Sequence, residues 1–283
     1  MHTTALMPLP LAHFFGASLG WLMILLPNRS REIAQINIRA CFPEVDHAGQ
    51  KQLVRSSLIE MGKTLMETGI LWLGSQSRFE GLIKKVDGEQ LLKNGLDQGK
   101  GVILIAPHIG NWEAIGIYCA IHYPMVSLYK PPKMAALDKI VRGSRERSGA
   151  ELVPTDVQGV KALYKALAEN KVTGILPDQD PKGGKRNFAP FFGIQANTMV
   201  LLSRLARKTG AVPILVFAER LPRGKGFHVH FEAVPEGIAD ANLDTSLRVL
   251  NQLVESLVRR YPSQYQWAYK RFNKRPEGET SFY

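Results

Sequence analysis

The stretch GVILIAPHIGNWEAIG, Gly101–Gly116, decides how the chain is read. It opens on an apolar, largely β-branched run, Val102–Ala106, bounded by Gly99-Lys100-Gly101 and by Pro107, the pattern of a buried strand. It closes on Trp112–His122, a helical pattern with Asn111 in the N-cap position. His108 falls between them, at the carboxyl end of the strand, where open α/β sheets bind their ligands. Glu113 follows five residues later. Side chains five apart diverge on one helix, so the two meet only if His108 lies in the loop and Glu113 folds back from the first helical turn. Glu113 would then fix the tautomer of His108 and stabilise its imidazolium, as a general base requires. The helix start offers the amides of Gly110 and Asn111 as an oxyanion cradle.

Outward from this stretch the rhythm alternates. Strands are expected at Val86, Met125–Tyr129, Glu151–Val153, Val172–Leu176 and Val212–Glu219, with helices at Glu89–Gln98, Met134–Arg147, Val157–Glu169 and Thr198–Lys208. A hairpin around Arg223-Gly-Lys-Gly226 adds a strand at Phe227–Val234, and a helix at Ser246–Arg260 closes the core. The βαβα order predicts an α/β fold: a mixed, mostly parallel sheet flanked by helices. No internal repeat, low-complexity tract or linker interrupts it.

The N-terminal part differs in character. Ala5–Pro27 carries no charge apart from what His13 takes, and Leu9–Pro27 has just the length of a hydrocarbon core as one helix. Arg29 and Arg31 follow at once, so the positive-inside rule puts the remainder on the cytoplasmic side. A short insertion without spanning fits nearly as well, because the segment holds Pro8, Pro10 and two glycines. Residues 1–28 are read as an apolar membrane-anchor helix and 29–283 as the enzymatic domain. Ser30–Cys41 and Gln50–Leu73 are expected helices at the start of that domain.

The 283 residues are 45% hydrophobic and can bury a large core. With 36 Lys+Arg against 25 Asp+Glu the net charge is +11, which favours anionic partners without choosing among nucleic acid, phospholipid, phosphorylated sugar and an acidic carrier protein. Cys41 and Cys119 stand far apart with no C-x-x-C, the usage of small core residues in a reducing compartment.

Further chemistry gathers at other strand ends. RGSRER, Arg142–Arg147, is either a basic helix end that complements the dipole or a site whose Arg grips phosphate or an acyl-donor phosphopantetheine, or braces Glu113. ILPDQD, Ile175–Asp180, runs from a strand into two carboxylates and then PKGGKR. No third acidic or His ligand lies nearby, so no metal is expected there. His228 and His230 share one face of a strand and read as exposed polar face rather than as metal ligands. The aromatic and basic run Tyr261–Gly278 has the composition of a nucleic-acid binder, but no RNP, KH or helix-turn-helix signature accompanies it, so nucleic acid is not expected as a partner.

HIGNWE at a strand-to-helix turn resembles the His-x4-Asp/Glu motif of glycerolipid acyltransferases, in the form found in the bacterial lipid A late acyltransferases. The resemblance extends to NIRACFPE after the anchor, to Arg145 and Arg147, to Asp178 and Asp180 followed by Phe191-Phe192-Gly193, and to YPSQYQW and RFNKRP near the C-terminus. It implies a membrane O-acyltransferase that needs no cofactor or metal, working at the inner membrane with its catalytic domain on the cytoplasmic face. The donor would be a fatty acyl chain on acyl carrier protein, and the acceptor a hydroxyl on a 3-hydroxyacyl chain of a lipid A precursor. His108 and Glu113 would be catalytic, with Gly110, Asn111, Arg145, Arg147, Asp178 and Asp180 binding or positioning substrate. Arg145 is expected to reach the active centre, while Lys274 and Arg275 are expected to recruit substrate by charge alone. The rival readings are the same chemistry on a lysophospholipid, ornithine lipid or phosphatidylinositol mannoside, and a non-enzymatic basic membrane-binding protein.

Overall fold

The computed structural model describes residues 2–181 and 183–283; Met1, at the head of the expected anchor, and Lys182, within PKGGKR, lie outside the described residues. Five helices lead the chain: α1 (His2–Leu6), α2 (Leu9–Leu25), α3 (Arg29–Cys41), α4 (His47–Leu73) and α5 (Gln76–Leu82). The alternating part follows as β1 (Ile83–Asp87), α6 (Gln90–Asp97), β2 (Val102–Ile105), α7 (Trp112–His122), β3 (Met125–Tyr129), α8 (Ala135–Arg147), β4 (Glu151–Pro154), α9 (Val157–Ala168) and β5 (Val172–Ile175). A two-stranded hairpin, β6 (Phe188–Phe191) with β7 (Ile194–Asn197), precedes α10 (Leu201–Thr209), β8 (Val212–Arg220), β9 (Phe227–Ala233) and α11 (Leu243–Arg260).

The main sheet has seven strands in the order β1-β9-β8-β2-β5-β3-β4, parallel at every pairing except β8 with β9. Its central strands are apolar on both faces because helices cover both. Along β2, Val102 and Leu104 enter one core cluster while Ile103 and Ile105 enter the other. The expected strands all form. The β6–β7 hairpin was not expected, and its turn is the Phe192-Gly193 step, where both residues take positive φ. Burial pushes the thiols of Cys41 and Cys119 up, which fits their reading as core residues.

The N-terminal helix differs from the uniform apolar rod read from its sequence. α2 is 17 residues long, about 26 Å at 1.5 Å per residue, and ends at Leu25. Among the described residues no single helix is long and apolar enough to cross a membrane, although α2 and α3 pass together as a pair bent by 81°. α2 buries a stripe of mostly small residues, Leu9, Ala12, His13, Gly16 and Gly20. These lie against α4, so closely that a Cβ on Gly62 would sit 2.1 Å from the Gly16 carbonyl oxygen. The opposite side of α1–α2 leaves Leu6, Phe14, Trp21 and Leu25 exposed.

Candidate active site

β2 and β5 are neighbours, and Ile105 pairs with Ile175 in parallel register. Each strand then runs on through a proline for three more residues, to His108 and Asp178. The register therefore brings these two side chains together. Asp178 Oδ1 lies 2.8 Å from His108 Nδ1, and Oδ2 accepts the His108 backbone N–H at 3.0 Å. Burial of Asp178 opposes its charge, but the adjacent His108 and the two hydrogen bonds outweigh this and hold the carboxyl below the usual carboxylate range. Facing a carboxylate, Nδ1 carries the hydrogen and Nε2 presents its lone pair. Nε2 has no partner among the described residues, and the ring packs against that of Trp112 with centroids 5.0 Å apart.

The expected orientation of His108 by Glu113 is therefore replaced by one from Asp178. Glu113 is occupied elsewhere: Arg145 Nη2 donates to Oε1 at 2.6 Å, and the Trp72 indole donates to Oε2 at 3.0 Å. Arg145 does reach Glu113, as expected, and its guanidinium also lies over the Tyr129 ring at 5.5 Å. Arg147 instead donates to the Trp72 carbonyl at 2.8 Å, bracing the end of α4 behind the residue that holds Glu113.

The oxyanion cradle expected at Gly110 and Asn111 does not form. The Gly110 N–H donates to the Gln264 carbonyl and the Asn111 N–H to the Ala218 carbonyl, each at 3.0 Å. The turn is pressed so tightly onto β8 that a Cβ at Gly110, where φ is +59°, would lie 1.9 Å from the Ala218 oxygen. The Asn111 side chain faces inward: Oδ1 caps the Ala114 N–H, and Nδ2 donates to buried Glu67 at 2.7 Å. At the helix start, the amides of Trp112 and Glu113 remain without an intrahelical acceptor.

Glu67 anchors the turn from behind. It is fully buried and also takes the Nε and Nη2 hydrogens of Arg220 at 2.6 Å each and a 2.6 Å contact from His13 Nε2. Burial works to raise its carboxyl, but the charge and hydrogen bonds of Arg220, with those of His13, hold it down to about 2. His13, in the segment read as an anchor, is thus tied through Glu67 to the residue that caps α7.

The C-terminal run closes the other side. Besides the Gln264 carbonyl on Gly110, the Gln266 N–H donates to the His108 carbonyl at 3.1 Å, and Ile109 bridges Tyr265. The sequence reading left these residues without a role; their signal was the YPSQYQW motif itself. Asp180 lies apart from His108, accepting from Asn197 Nδ2 at 2.7 Å and donating its N–H to the Tyr269 hydroxyl. Arg275 is no free surface charge: it is held by the Gln195 carbonyl, Glu279 and the Phe282 ring. Beside Glu113 and Arg145 opens a mainly apolar cavity of about 90 Å³, bordered by Leu104, Ile117, Met125, Leu128 and Leu176. Trp112 separates it from a second cavity of about 230 Å³ between α4 and the C-terminal segment.

A strand-end histidine paired with a buried aspartate, an arginine-clamped glutamate and an apolar cavity beside that glutamate form the candidate site of an α/β sheet protein. The chain belongs to the bacterial lipid A biosynthesis acyltransferase family, whose sequence profile matches residues 1–274. It is similar to the lipid A biosynthesis lauroyltransferase of Escherichia coli, with 28% identity over 98% of this chain and 90% of the relative. The palmitoleoyltransferase of the same organism is 27% identical with the same coverage. The myristoyltransferase is 25% identical over 91% of this chain and 80% of its own length.

Proposed function

We propose that the chain transfers a fatty acyl group from acyl carrier protein to a hydroxyl on a 3-hydroxyacyl chain of a lipid A precursor, with His108 as general base. The observation that carries this reading is the His108–Asp178 pair, whose imidazole packs on Trp112, the residue that borders both apolar cavities. In the step, Nε2 takes the acceptor hydroxyl proton, the oxygen attacks the thioester carbonyl, the C–S bond breaks, and the imidazolium returns its proton to the leaving thiolate. Asp178 holds the reactive tautomer. The open amides of Trp112 and Glu113 serve the developing oxyanion, with Arg145 lending positive charge nearby. The cavity past Glu113 is suited to a hydrocarbon chain, and the cavity beyond Trp112 to the acceptor lipid.

Inner-membrane attachment on the cytoplasmic face is supported by the exposed apolar side of α1–α2 followed by Arg29 and Arg31. The net +11 charge suits both an acidic carrier protein and a phosphorylated glycolipid. The test is mass spectrometry of lipid A from cells with the wild-type gene, without it, and with His108→Ala. The expected result is loss of one secondary acyl chain in both altered strains, and unchanged lipid A in the deletion strain would reject the reading.

A further inference from the structure

His228 and His230 alternate onto one face of β9, and its two neighbours bring carboxylates to them. Asp87 on β1 is in register with His230, and Glu219 on β8 is in register with His228. His228 Nε2 lies 2.9 Å from Asp87 Oδ2 while its Nδ1 lies 3.7 Å from Glu219 Oε2. His230 Nε2 lies 3.0 Å from the same Glu219 oxygen. The two imidazole centroids are 3.7 Å apart, and His230 stacks on Phe217 at 4.4 Å with planes 6° apart. One donor atom each from Asp87, His228 and His230 fall within 4.8 Å of one another.

This is not the exposed polar face read from the sequence. Both histidine side chains are only 14% exposed, wedged between carboxylates 141 and 11 residues away in sequence. Each imidazole offers a ring nitrogen and Asp87 a carboxylate oxygen, while Glu219 adds a second negative charge beside them. Lys85, at 2.6 Å from Asp87 Oδ2, is the competing cation, but its side chain is 61% exposed and free to turn away. Two imidazole nitrogens and one carboxylate oxygen suit zinc and its first-row neighbours rather than magnesium or calcium.

We propose that Asp87, His228 and His230 bind one zinc-type divalent cation that staples the edge strand β1 to β9, with Glu219 of β8 beside them. The ion has no part in acyl transfer. It ties β1 to β9 at the sheet edge, adding to stability as a ligand bound only by the folded chain.

The experiment uses the full chain purified in detergent without a histidine tag, stripped with chelator and reloaded with zinc or cobalt. Wild-type protein should retain close to one zinc per chain after desalting, show the intense visible bands of tetrahedral cobalt, and melt at a higher temperature with zinc than with chelator. His230→Gln and Asp87→Asn should each lower retained zinc at least tenfold and abolish the zinc-dependent rise in melting temperature. Zinc retained equally by these variants, or none retained by wild type, overturns the site. X-ray absorption on zinc-loaded wild type gives a reading that does not depend on how the variants fold: a shell with two imidazoles is expected, and one without them rejects the assignment.

Discussion

His108→Ala should lower turnover by about 10²- to 10⁴-fold, the usual effect of removing a positioned base. Asp178 and Glu113 separate more sharply. Asp178→Asn removes the charge that keeps hydrogen on Nδ1, so kcat should fall more than tenfold with little change in KM. Glu113→Gln loosens Arg145 and Trp72 but leaves the imidazole oriented, so its kcat loss should be smaller. Steady-state kinetics of the three variants checks this, and a wild-type kcat for Asp178→Asn would remove Asp178 from the mechanism. Acid stability follows from the same groups. The carboxyls of Asp178 and Glu67 both lie below their ordinary values, so their stabilisation is present above those values and is lost as pH falls. For Glu67 the window runs from its ordinary 4.5 down to about 2. Urea unfolding across it should show a loss on the order of a few kcal/mol.

At the level of elements, the contact of α2 with α4 is the most exposed to test. Gly62→Val places side-chain atoms where the Gly16 carbonyl now lies, on backbone that cannot yield as a flexible side chain would. Equilibrium unfolding should register about 1–3 kcal/mol of destabilisation from overpacking, and α2 should become sensitive to protease. The α/β alternation was legible because each central strand is a short apolar run punctuated by Gly or Pro, as in Val102–Ala106. The partner of His108 was not, because it depends on strand order: β5 lies beside β2 although α7, β3, α8, β4 and α9 intervene in the chain. A trace existed in the parallel wording Ile105-Ala-Pro-His108 and Ile175-Leu-Pro-Asp178. The hairpin β6–β7 escaped notice because its turn is Phe192-Gly193 rather than Asn-Gly. In α2 the stripe of small residues was hidden by overall hydrophobicity, since a helix apolar all round gives no moment to read.

For the whole molecule, the exposed apolar side of α1–α2 should govern attachment to lipid. Replacing Phe14, Trp21 and Leu25 by serine should reduce co-sedimentation with anionic vesicles and leave the melting temperature unchanged, because all three side chains already face outward. Undiminished sedimentation at high salt would move the attachment surface elsewhere. The basic residues Arg29 and Arg31 next to that side should contribute a salt-sensitive share. The C-terminal segment carries a different consequence, one of timing. A chain ending at Arg260 contains β1 through β9, yet it lacks the Gln264 carbonyl that receives the Gly110 amide and the Gln266 amide that holds the His108 carbonyl. During synthesis every strand can be made while the His108 turn is still unclamped, so that turn is fixed only by the last residues made. The same residues complete the core as well, since Tyr265, Trp267 and Phe272 are buried in it, so closure of the turn and closure of that core layer come as one late event.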